Sequence, residues 1–67
     1  MHEKGELIAS VFRHANGQVT LAWCPAGRVE LQDWPTVSEA RRSVDEAWSD
    51  LDWEEVMPGE WLAWEAS

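Results

Sequence analysis

The chain has 67 residues, one cysteine and a formal net charge of −8, from thirteen Asp and Glu against five Lys and Arg. That charge opposes direct contact with nucleic acid and with anionic membranes. The lone Cys24 excludes an internal disulfide, and a disulfide-free chain this small fits a cytoplasmic setting.

Residues 1–67 are expected to form one domain, near the lower size limit for independent folding. Residues 1–5 are polar and expected to be flexible, and they lack the basic and apolar blocks of a signal peptide. Glu6 to Arg13 reads as a strand carrying Leu7, Ile8, Val11 and Phe12. Asn16-Gly17 then predicts a hairpin turn, because both residues tolerate positive φ. In Gln18 to Cys24, Val19, Leu21 and Trp23 alternate onto one face, as in a half-buried strand. Pro25-Ala26-Gly27 predicts a second turn, and Arg28 to Asp33 a third strand with Val29 and Leu31 inward.

Pro35 separates that strand from a helix that opens on Thr36-Val37-Ser38-Glu39, the pattern of a capping box. Val37, Ala40, Val44, Ala47, Trp48 and Leu51 recur at helical spacing and predict one apolar stripe. The helix is expected to end between Ser49 and Trp53. Arg41 and Arg42 stand four residues before Asp45 and Glu46, a spacing that predicts ion pairs on the helix surface. Met57-Pro58-Gly59 marks a turn, after which Glu60 to Glu65 reads as a last strand. Leu62 and Trp64 face one way on it, and Trp61 the other. The expected fold is α+β: an antiparallel sheet of three to four strands with one helix on a face, in the order β-β-β-α-β.

No run approaches the ~20 apolar residues of a membrane helix. No spacing of Cys and His suits zinc, and Asp50-Leu51-Asp52-Trp53-Glu54-Glu55 lacks the glycine and distal glutamate of a calcium loop. No Gly-rich loop precedes a helix to cradle a phosphate. His2, His14 and Cys24 form no recognisable nucleophile arrangement. The expectation is a non-enzyme without cofactor or metal.

The charge is unevenly placed. The first 42 residues hold five acids and five bases, whereas Ser43 to Ser67 holds eight acids, no base and four of the six tryptophans. Such a segment either keeps a Trp-rich domain soluble or recognises a basic partner. Carboxylates at i and i+4 on a helix, or i and i+2 on an extended chain, lie on the order of 6 Å apart. Successive phosphates of a nucleic-acid strand are comparably spaced. The candidate partner-binding residues are therefore Asp45, Glu46, Asp50, Asp52, Glu54 and Glu55, with Trp53 as an apolar anchor among them. The expected partner is a positively charged nucleic-acid-binding protein.

From Leu7 to Trp48 the chain resembles the β-β-β-α core of the HicB-like antitoxin group. Gly27 and Thr36-Val37-Ser38-Glu39-Ala40-Arg41 carry the likeness, a glycine turn and short strand before a capped helix. That resemblance implies an antitoxin-like or adaptor domain binding a basic protein. In size, acidity and lack of disulfides the chain is also similar to phage-encoded inhibitors of bacterial defence, the anti-CRISPR and anti-restriction DNA mimics. This second resemblance implies a protein that blocks the target-DNA site of an effector such as a CRISPR subunit.

Overall fold

A computed structural model describes residues 5–24 and 28–66. Its elements are β1 (Leu7–Arg13), β2 (Val19–Trp23), β3 (Glu30–Trp34), α1 (Val37–Ala47), β4 (Leu51–Met57) and β5 (Glu60–Glu65). The fold is α+β as expected, but the sheet has five strands rather than three to four, and the order is β-β-β-α-β-β. The additional strand is β4, in the acidic segment expected only to connect the helix to the last strand. Asp and Glu disfavour strands, which hid the alternation of Leu51 and Trp53 with Asp52 and Glu54.

All neighbouring strands run antiparallel, in the spatial order β3-β2-β1-β5-β4. β1 is therefore central, and β3 and β4 form the two edges. The helix carries the chain from one edge to the other across a single face.

Local chemistry sets the connections. Between β1 and β2, the His14 amide donates to Gln18 and the Gly17 amide to His14, with Gly17 at φ 92°. Gly17 alone takes positive φ there. The connection is a three-residue loop with a left-handed glycine rather than a turn left-handed at both Asn16 and Gly17. The turn expected at residues 25–27 lies outside the described residues. Pro58 and Gly59 connect β4 to β5, and Gly59 takes φ 85° after a proline, the type II pattern. Gly5 donates its amide to the Glu65 carbonyl at 3.2 Å, so the sheet's hydrogen bonding reaches one residue into the segment expected to be flexible.

At the helix start, Thr36 Oγ1 accepts from the Glu39 amide at 3.1 Å, as the capping pattern predicts. The helix closes earlier than expected, with Trp48 as C-cap. Leu51 thus leaves the helical stripe for β4, and Ala47 is exposed.

Among the described residues, those fully buried are Ile8, Ala9, Val11, Val19, Leu21, Ala40, Val44 and Ala63. They lie between the helix and one face of the sheet. A register shift between Leu7 and Ala9 against β5 inserts one residue in β1. That bulge resets the alternation, so the consecutive Ile8 and Ala9 are both buried. All six tryptophans are half-buried, and most pack around this aliphatic centre as a rim.

β3 has the opposite phase to the expected one. Val29 and Leu31 are 64% and 70% exposed, while Trp34 packs against the core opposite Val19. A strand can turn only alternate residues to one face, and Trp34 offers more apolar surface than Leu31. Replacing Leu21 by Ala is expected to cost about 2–5 kcal/mol in urea unfolding. Leu31→Ala should change stability by less than about 0.5 kcal/mol. Equal losses at the two positions would return Leu31 to the core.

Candidate partner-binding surface

The acidic run leaves the helix and enters an edge strand, so pleating divides its side chains. Asp45 and Glu46 are exposed on the last turns of α1, and Asp50 occupies the corner before β4. Asp50 sits at φ 59°, a left-handed conformation that Asp tolerates better than most residues. Its carbonyl accepts the Ala66 amide at 2.8 Å, which ties the corner to the end of β5.

Along β4, Trp53 pairs with Ala63 and Glu55 with Trp61, which places both on the helix side. Asp52 pairs with Trp64 and Glu54 with Leu62, on the opposite face. Glu54 Oε1 accepts from the Trp64 indole at 3.2 Å. The six acids therefore wrap one edge and one end of the molecule, on two faces rather than as one flat patch. Charges on an edge strand also discourage pairing with another sheet.

Trp53 is more than an outward anchor. It is half-buried, packs against the core, and donates its indole N–H to Asp45 Oδ1 at 2.9 Å. That bond links the helix directly to β4. Arg41 completes the link, its guanidinium 4.0 Å from the Trp61 ring centroid and 4.8 Å from that of Trp53. Arg41 was expected to pair with Asp45 on the surface, but the structure lays it on two aromatic faces while Asp45 takes the indole. Its Nε is buried with no hydrogen-bond partner among the described residues, so the stacking carries that part of the side chain.

This cluster was hidden in the sequence because Arg41, Trp53 and Trp61 meet only once the C-terminal hairpin has paired with β1. Among the described residues, no three His, Cys, Asp or Glu side chains gather to hold a metal ion, and no helix is long and apolar enough to cross a membrane.

Arg41→Ala removes a cation and an aliphatic stem from two rings. The expected loss is about 1–2 kcal/mol in urea unfolding, with a red shift of tryptophan emission. Unchanged emission would show that Arg41 does not cover the rings in solution. No protein-family model, curated protein or solved structure matches this chain, so its function is read from the geometry.

Proposed function

We propose that the protein is a non-enzymatic inhibitor whose acidic surface occupies the positively charged nucleic-acid-binding groove of a target protein. The carrying observation is where the acids stand. The last turn of α1 holds no basic residue, while Asp45 and Glu46 lie at that end and Asp50 follows. Carboxylates at the negative end of a helix dipole cost about 0.3–1 kcal/mol each when exposed. Acids serving solubility alone would do as well at the helix N-terminus, where they stabilise. Asp45 is held there by the Trp53 indole and Asp50 suits its left-handed corner, but the exposed Glu46, with Asp52 and Glu55 along β4, has no such internal role among the described residues, which favours selection for an outside partner.

The spacing fits the same reading. Asp52 and Glu54 are two residues apart on one face of β4, about 7 Å along the strand, comparable to successive phosphates. The most concrete form is a phage anti-CRISPR protein that blocks target-DNA recognition in the cytoplasm of an infected bacterium. The consecutive β1-β2-β3-α1 unit favours a second reading, an antitoxin-like or adaptor domain whose basic partner is a protein of another kind.

Immobilised protein is expected to retain basic proteins from a bacterial lysate, and duplex DNA should displace them. Retention should fall about tenfold or more between low and moderate salt. The variant D50N/D52N/E55Q changes only exposed carboxylates and should weaken retention comparably. Unchanged retention and salt dependence in that variant would overturn the proposal. A basic protein retained but not displaced by DNA would favour the second reading.

A further inference from the structure

The helix covers one face of the sheet, and no helix or strand among the described residues lies against the other. The strand registers define that second face row by row. Leu31, Ala22, Ser10, Leu62 and Glu54 stand side by side across the five strands. The neighbouring row is Asp33, Thr20, Phe12, Glu60 and Met57. On the other side, Leu7, Trp64 and Asp52 form a third row. Leu31 is 70% exposed, Met57 52% and Phe12 37%.

Two properties of this face say what would cover it. The first is shape: Ala22 and Ser10 are small and lie between the larger Leu31 and Leu62, with Phe12 closing the neighbouring row, so the face carries a shallow trough one row deep, ringed by apolar side chains. Five strands span about 19 Å, and a helix with side chains is about 10–12 Å across. One helix fits on the face, with the ring of Leu31, Phe12 and Leu62 beneath it. The second is charge. Asp33 stands on one flank, Asp52, Glu54 and Glu60 stand on the other, and no Lys or Arg lies in the three rows. A second copy of the chain would bring acids with no base to meet them. Nucleic acid would bring phosphates to the same acids. An apolar stripe bordered by Lys and Arg matches both the trough and its flanks.

We infer that the uncovered face of the sheet docks an amphipathic helix of the partner protein, its apolar stripe in the Ala22–Ser10 trough and its basic flanks against Asp33 on one side and Asp52, Glu54 and Glu60 on the other. This inference rests on the reading of a basic partner given above and names the element of that partner the surface takes. The bound state would be a three-layer arrangement, α1 on one face and the partner's helix on the other.

The test uses the full chain and a synthetic helix of about eighteen residues, with Leu at i, i+3, i+4 and i+7 and Lys elsewhere. A shuffled peptide of the same composition carries the same charge without a stripe. Calorimetry should show the striped peptide binding one to one and about tenfold or more tighter than the shuffled one. In an NMR titration, the amides of Ser10, Ala22 and Leu62 and the Trp64 indole should shift, while the Trp53 indole on the helix side stays put. F12S/L31S should lower the affinity for the striped peptide about tenfold. Because Phe12 is only 37% exposed and edges the His14 ring, L31S/M57S, at positions 70% and 52% exposed, is the paired variant whose melting should stay close to that of the unaltered chain while its affinity also falls. Equal binding of the two peptides, shifts confined to Asp45 and Trp53, or unweakened binding by F12S/L31S would each overturn the docking face and leave the acidic-surface reading standing. So would a dimer in sedimentation that F12S/L31S dissociates. Loss of DNA-displaceable retention in the lysate experiment would instead overturn the reading beneath it.

Discussion

One helix of eleven residues must cover a five-stranded sheet, and most features of this protein follow from that mismatch. The helix is about 16 Å long, and two apolar positions, Ala40 and Val44, are fully buried on it. It lies over β1, β2 and β3. The hairpin of β4 and β5 has to be closed in some other way, and tryptophan does it. Trp53 and Trp61 roof the helix side of the hairpin, and Arg41 reaches from the helix to lie on both rings. The core is small and aliphatic, and the tryptophans surround it rather than fill it.

This has an electrostatic consequence. Arg41 sits beside the acidic end of the chain and is the base best placed to offset it. Its guanidinium is instead stacked on indole rings, and the carboxylate within its helical reach, Asp45, accepts from Trp53. Glu46 at the helix end and Asp52 and Glu55 along β4 are exposed, and eight acids against no base from Ser43 to Ser67 leave this end of the chain negative even with the Arg41 charge beside it. A field of one sign extends roughly a Debye length, about 8 Å at physiological salt, and attracts basic partners before contact.

Much of the fold was legible where one residue type has one reason to be present. Thr36 and Glu39 announced the helix start, Pro58-Gly59 the last turn, and the alternation of Val19, Leu21 and Trp23 their strand. The phase of β3 was misjudged because Leu31 and Trp34 compete for the core from opposite faces; the larger ring wins. β4 is hidden because its composition serves an exposed edge, and the three acids Asp52, Glu54 and Glu55 outweigh Leu51 and Trp53 in a local reading. The individual acids of the candidate surface were identifiable by composition. Their division between two faces was not, since pleating matters only once the segment is known to be a strand. The trough on the uncovered face was likewise invisible, because it is assembled from single residues of five strands.

The strand order carries a last consequence, for the time before the fold exists. β1 pairs on one side with β2, which follows it directly, and on the other with β5, where Trp61 meets Val11 across fifty positions of sequence. A ribosome adding about 5–20 residues per second needs roughly 3–10 seconds to make that stretch. β2 and β3 are added within that interval, but until β5 is made β1 keeps one edge of unpaired amides and carbonyls beside Ile8 and Val11. The strand that ends up most protected is the one exposed longest during synthesis.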